Sequence, residues 1–231
     1  AIRDLVDSSI VHLSFGTPFT NAQNYNLTIN NVDDTLANAT AGIIEPFSYL
    51  VITAPNPGEV IINEIFADPT PQIGLPSEEF VELYNTSANV FVLNNWQFVN
   101  STTVKTLPNF ILQPNSYAIL CDVSDTGLYS TYGNVIGISS FSALTNGGDS
   151  LTLMDDNSNV LDVVKYDISW YQDGLKDDGG FTLERINPNH PCSNFLNWIA
   201  SNDVDGGTPG TQNSVFNNAP DIDAPTVSTI S

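Results

Sequence analysis

The sequence predicts an all-β protein, and three observations carry that expectation. Apolar and polar residues alternate in short runs, those runs are bounded by Gly, Pro, Asn and Asp, and the 3.6-residue period of amphipathic helices is nearly absent. Composition agrees. Hydrophobic residues make up 41% and charged residues only 13%, so the polar surface must come from Asn, Thr, Ser and Asp, which suit strands and the turns between them. At 231 residues the chain exceeds the commonest size of one domain, which points to one full domain and a smaller piece.

In the N-terminal segment the runs 10–15, 25–29 and 47–52 read as strands. Three strands are too few for a two-sheet sandwich, so residues 1–57 are expected to form a partial β unit. Pro55-Asn56-Pro57-Gly58 then interrupts any regular structure, because each proline fixes φ and lacks an N–H donor. The main domain is placed at 58–217, with strands at 60–66, 79–84, 90–99, 117–121, 150–154, 160–166 and 181–185. Their number fits a complete sandwich. Asp155-Asp156-Asn157-Ser158-Asn159 reads as a hairpin turn in which Asx side chains bond their own backbone. Ser124 is positioned to cap one short helix over 125–132. The last segment, 218–231, opens with a linker at Asn218-Ala219-Pro220-Asp221 and continues into an extended run, 224–230, with no strand partner nearby in sequence.

Twenty-six acidic residues oppose five basic ones (Arg3, Lys105, Lys165, Lys176 and Arg185), for a formal net charge of −21. Self-repulsion keeps such a chain dispersed. Nucleic acid and anionic membranes are excluded as partners, since both require a basic patch. Cations, calcium among them, are the small partners this charge suits. No apolar run reaches the roughly 20 residues that span a bilayer, so no membrane insertion is expected. The chain begins at Ala1 rather than Met, which fits a processed product or a portion of something longer. Cys121 and Cys192 are the only cysteines; one disulfide between them and two separately buried thiols are both open.

Residues suited to catalysis are scarce. The two histidines, His12 and His190, have no triad setting, and no nucleophile elbow, phosphate-binding glycine loop or zinc-binding helix motif occurs. Glu78, Glu79 and Glu82 cluster at a strand, but neighbours on a strand point to opposite faces, so the expectation is a solvated face rather than a catalytic pair. No catalytic residue is assigned. Asp203, Asp205 and Gly206 sit at the spacing of positions three, five and six of an EF-hand loop, although Gln212 stands where the bidentate Glu would be. Asp203 and Asp205, with the linker residues Asp221 and Asp223, are the candidate Ca²⁺ ligands, the alternative for the first pair being a glycine-rich turn. No other cofactor is expected.

A resemblance rests on motifs that follow one another in register: Val60-Ile61-Ile62-Asn63-Glu64-Ile65, Ala67-Asp68-Pro69, Glu79-Phe80-Val81-Glu82-Leu83-Tyr84-Asn85, Asn95-Trp96, Gly148-Asp149-Ser150-Leu151, Leu183-Glu184-Arg185, Asn197-Trp198 and Gly206-Gly207-Thr208-Pro209-Gly210. The series resembles bacterial lamin-tail domains. That resemblance implies an immunoglobulin-like β-sandwich without catalytic residues, used as an accessory module of secreted enzymes and adhesins. From the residues themselves, Phe80, Leu83 and Tyr84 are expected to pack, Glu82 to bond a neighbouring loop, and Trp96 and Trp198 to anchor the core.

The flanks are similar to a bacterial immunoglobulin-like surface repeat. Residues 25–34 and 47–50 resemble its second half, and Asp223-Ala224-Pro225-Thr226-Val227 resembles its opening strand. The resemblances together imply a non-enzymatic structural or adhesive module of an extracellular or bacterial cell-surface protein, whose partner is another protein, a cell surface or a second copy of itself. The other reading is an accessory, non-catalytic domain of a secreted hydrolase such as a nuclease or phosphatase. An incomplete sheet exposes unpaired backbone groups. Pro225, Thr226, Val227, Ser228, Thr229 and Ile230 are therefore candidates for a strand donated to the next molecule, building a head-to-tail filament by β-augmentation.

Overall fold

The structure, a computed structural model, describes residues 1–7, 9–21, 23–30, 32, 38, 42–101, 103–190 and 194–218. Two compact units result, Ala1–Ile52 and Thr53–Ser231. Cys192, Asp221, Asp223 and the donor-strand residues 225–230 lie outside the described residues.

The first unit holds two small antiparallel pairs. Strand β1 (Ile2–Arg3) pairs with β2 (Val11–His12), and β3 (Gln23–Ile29) pairs with β4 (Ile43–Tyr49) with Tyr25 opposite Phe47. The expected strand 10–15 is thus only two residues long, and the expected 47–52 begins earlier, at Ile43, and ends at Tyr49. An aromatic cluster fills one side of the β3–β4 pair. The Phe19 ring lies 4.9 Å from Phe15, 4.7 Å from Tyr25 and 5.3 Å from Phe47. Ile2, Leu5, Val6, Val11, Phe15, Ile44 and Ile52 remain more than half exposed, which is what two-stranded sheets without a second layer leave uncovered.

The second unit is a β-sandwich. One sheet has six strands in the order β12 (Val135–Ile138), β11 (Tyr117–Asp122), β6 (Phe80–Asn85), β5 (Val60–Phe66), β15 (Leu183–Arg185) and β16 (Trp198–Ala200). The pairing of β11 with β12 is parallel and the other pairings of this sheet are antiparallel. The other sheet has the order β14 (Val160–Asp167), β13 (Gly148–Met154), β8 (Gln97–Asn100) and β9 (Thr103–Thr106). A short antiparallel pair, β7 (Phe91–Val92) with β10 (Ile111–Leu112), adds Phe91 and Leu112 to the same core. The inner faces interlock through Val60, Ile62, Val81, Leu83, Leu120 and Leu183 from the first sheet, and Phe98, Leu151, Leu153 and Val164 from the second. Trp96 and Trp198 are both in this core, as their sequence context suggested.

Two differences from the sequence reading have physical causes. The run 90–99 is not one strand, because Asn95 adopts a positive φ of 63° and the chain turns there, placing β7 and β8 in different sheets. The expected helix over 125–132 shrinks to α1 (Thr126–Tyr129), and Ser124 does not cap it; its hydroxyl and amide both donate to Asp122 Oδ1, at 2.8 and 3.0 Å. The 155–159 turn forms as expected: Asp155 Oδ1 accepts the amides of Asn157 (2.9 Å) and Asn159 (2.8 Å).

The six-stranded sheet also has a covered outer face. A bulge at Asn63 shifts the register between Ile62 and Glu64, so that Ile62 and Ile65 both point into the sandwich core while Glu64 and Phe66 point outward. Phe66, Phe80, Ile119 and Cys121 form a second, smaller core there with Leu75 and Tyr129.

Candidate functional site

Beside that second core, three glutamates stand in a row across the sheet. Glu64 of β5 lies directly opposite Glu82 of β6 on one side and Glu184 of β15 on the other, and all three are fully buried. Directly opposed side chains on neighbouring strands are about 5 Å apart, so this is a carboxyl ladder in which like charges meet. Glu82 corrects the sequence reading of a solvated face. Its strand alternates as expected, but the outward side is roofed by a strap, residues 206–215.

The ladder grips the strap at successive points. Glu64 Oε1 accepts the Thr208 amide (2.8 Å) and the Thr182 hydroxyl (2.7 Å). Glu82 accepts the Gly210 amide on one oxygen and Asn63 Nδ2 on the other. Glu184 accepts the hydroxyls of Thr208 (2.9 Å) and Ser214 (2.7 Å) and the amide of Val215 (3.1 Å). Asn213 and the bulge residue Asn63 reinforce this: Asn63 Nδ2 donates to Asn213 Oδ1 (2.7 Å), and Asn213 Nδ2 returns a bond to the Asn63 carbonyl (3.0 Å). A Cβ at 207 would lie 2.7 Å from Glu64 Oε1 and 2.6 Å from the Thr182 methyl, so any side chain there would displace the carboxyl it packs against. Gly210 has φ +80°, and a Cβ there would meet the Tyr132 carbonyl. The Gly206-Gly207-Thr208-Pro209-Gly210 motif is therefore the part of the strap that lets its backbone approach the carboxyls.

Burial pushes Glu64 well above the usual carboxylate range, and the charges of Glu82 and Glu184 push it further, against the bonds from Thr182 and Thr208. Burial likewise raises Glu82, to about 8, with the Gly210 and Asn63 bonds opposing. One oxygen, Glu64 Oε2, is buried without any hydrogen-bond partner.

On the other side of β15, Arg185 points into the sandwich. Its guanidinium contacts Asp162 Oδ2 of β14 (2.5 Å), donates to the Ile62 carbonyl (2.8 Å) and lies 5.1 Å from the centre of the Trp198 ring. Asp162 Oδ2 also accepts the Ile62 amide (2.9 Å). One buried ion pair thus ties both sheets at the β5 bulge.

A separate acidic cleft of about 280 Å³ is lined by Glu78, Glu79, Asp122, Asp125, Ser77 and Phe141. Glu78 and Glu79 precede β6 rather than lying on it, so both reach the same cleft, contrary to the opposite-face expectation. Burial raises Glu79, whereas bonds from Ser124 and the Phe141 amide hold Asp122 below the usual range. Both carboxyls are engaged with the loop that walls the cleft: Glu79 accepts the Leu144 amide (2.7 Å) and Asp122 the Phe141 amide (2.9 Å).

The other sequence candidates are scattered. Asp203 folds into a turn that leads into the strap: its Oδ1 accepts the Asp205 amide (2.9 Å), and its carbonyl accepts the Gly206 amide (3.2 Å). Asp205 packs against Gly74. Among the described residues no group of three or more His, Cys, Asp and Glu is placed to hold a metal ion. His12, in the first unit, lies 2.7 Å from Asp4. His190 lines a cleft of about 520 Å³ with Glu59, Asp162 and Arg185. Cys121 is buried in the second core, and burial pushes its thiol up to about 12, which makes it unreactive near neutrality. Among the described residues no helix is long and apolar enough to cross a membrane.

The ladder escaped the sequence reading although a signal was present. Glu64 and Glu82 each stand among mostly apolar residues, in Val60–Phe66 and Phe80–Asn85, and Glu184 follows Phe181-Thr182-Leu183. A charge in such a run must be satisfied inside the fold.

Comparison with known proteins agrees with this architecture. Residues 53–167, from the start of the second unit to the end of β14, match the family model of the lamin tail domain. No curated protein matches the chain. Beyond the matched residues, β15 and β16 extend the same six-stranded sheet and the strap roofs it. The second unit is an immunoglobulin-like sandwich of the lamin tail type, and it contains a lamin tail domain.

Proposed function

We propose that the chain is a non-enzymatic structural or adhesive module of an extracellular, bacterial cell-surface protein, with another protein or a second copy of itself as partner. The observation that carries this reading is how the second unit uses its buried polar groups. The ladder carboxyls hold the strap, Glu79 and Asp122 hold a loop, and Arg185 and Asp162 join the sheets. Their bonding capacity serves the fold, and the high acidic charge suits a well-hydrated outer surface. The first unit supports assembly by strand donation, because its β3–β4 pair is two-stranded and several large apolar side chains around it are exposed. The tail run 225–230 is rich in Thr, Val and Ile, residue types that favour a strand and could extend such a pair.

Two measurements test this. The full chain is expected to show no hydrolysis of phosphodiesters, phosphomonoesters or glycosides above a heat-unfolded control, with or without divalent cations. Turnover that is lost in Glu79→Gln would overturn the non-enzymatic reading. For assembly, light scattering should find head-to-tail oligomers that fall to monomers when residues after Asn218 are removed and return when the tail peptide is added. Oligomers indifferent to that deletion, or a full chain that is monomeric at every concentration, would contradict strand donation.

A further inference from the structure

We infer that the Glu82–Glu64–Glu184 ladder is a proton-dependent latch: protonated at Glu64 and Glu82, it clamps the strap 206–215 onto the outer face of the six-stranded sheet, and ionised there, it lets the strap open. The first support is geometric. Three carboxyls stand side by side on adjacent strands, fully buried, at a separation where unscreened like charges repel strongly. The second is the donor count. Glu82 and Glu184 have donors on both oxygens, and Glu64 has two donors on Oε1, but Glu64 Oε2 has none. A carboxylate with one buried, unpartnered oxygen costs far more than the neutral acid, so Oε2 is where the proton sits.

Among the described residues, the surroundings of the ladder offer no counter-charge. On this face of β6 and β11 the titratable groups beyond Glu82 are Tyr84 and Tyr117, stacked 4.5 Å apart, with Cys121 and, from α1, Tyr129 further along; Asp122 ends β11 at the acidic cleft. The strap itself carries no ionisable side chain, and the turn before it carries Asp203 and Asp205. The nearest cations in sequence and fold are engaged elsewhere: Arg185 with Asp162 on the inner side, and Lys176 with the Ser201 carbonyl (2.6 Å) and Asn202 (3.1 Å). Ionising Glu64 or Glu82 therefore adds negative charge to a site that already repels it, and the relief available is to lift the strap and admit water.

The sign follows. The closed state holds its protons more tightly than the open one, so the clamp is complete in acid, below about 4.5, and is lost as pH rises through the closed-state values, about 8 for Glu82. Amide hydrogen exchange of the full chain reads this directly. Once the intrinsic exchange rate is divided out, the opening ratio of 206–215 should rise about tenfold per pH unit between about 5 and 8 for each proton lost on opening. Glu64→Gln keeps an acceptor at Oε1 and puts an uncharged amide at Oε2. It should flatten that slope by one proton and leave the strap better protected than the native strap at pH 8. Glu82→Gln should remove the part of the slope that ends near pH 8. An opening ratio independent of pH, a slope unchanged in both variants, or protection that follows 1 mM added Ca²⁺ rather than pH would overturn the latch.

Discussion

Asp162→Ala is expected to destabilise the second unit by about 3–5 kcal/mol, because it leaves the buried Arg185 guanidinium without its counter-ion. The side chains are 2% and 12% exposed for Arg185 and Asp162, so the guanidinium would lose its partner while staying almost wholly out of water. The same substitution removes the acceptor of the Ile62 amide at the β5 bulge. The double variant Arg185→Met with Asp162→Leu should lose much less, since it removes both charges and fills their space. Urea unfolding distinguishes the cases. A single variant no less stable than the double would mean that the ion pair is not buried as described.

Trp198→Ala is the other large effect, about 3–5 kcal/mol. Trp198 is fully buried, its ring lies 6.3 Å from that of Trp170, and it supports the Arg185 guanidinium. It stands on β16, the sheet edge outside the family match. The loss therefore measures whether that edge belongs to the core. A cost under about 1 kcal/mol in urea unfolding would place β16 outside it.

Much of this fold was legible because β5, β6, β13 and β14 are long runs rich in strand-forming residues and bounded by turn residues. Two-residue strands such as β7 and β10 leave no pattern, and the positive φ at Asn95 divides a run whose composition reads as one strand. The site was harder to see for a different reason. Strand period sets Phe80, Glu82 and Tyr84 on one face of β6, but a strand pattern cannot show that residues 206–215, more than a hundred positions later, fold back to cover that face. Glu82 was therefore read as solvated. The Gly206–Gly210 motif was visible as a glycine-rich turn; its role, giving backbone access to three carboxyls, depends on β5, β6 and β15 being neighbours in an order the sequence does not display. Bonding between Glu82 and a loop was anticipated, whereas its continuation through Glu64 to Glu184 was not.

The central claim is that the sandwich does not end with β14 but includes β15, β16 and the strap as part of one structure. Native-state hydrogen exchange of the full chain at pH 5, where the strap is clamped, tests this most directly. The amides of Leu183, Glu184 and Ala200 should exchange through the same cooperative opening as those of Ile65 and Val81, with the same free energy and the same denaturant dependence. Exchange of residues 183–200 through a separate, lower-energy opening while β5 and β6 stay protected would contradict the account.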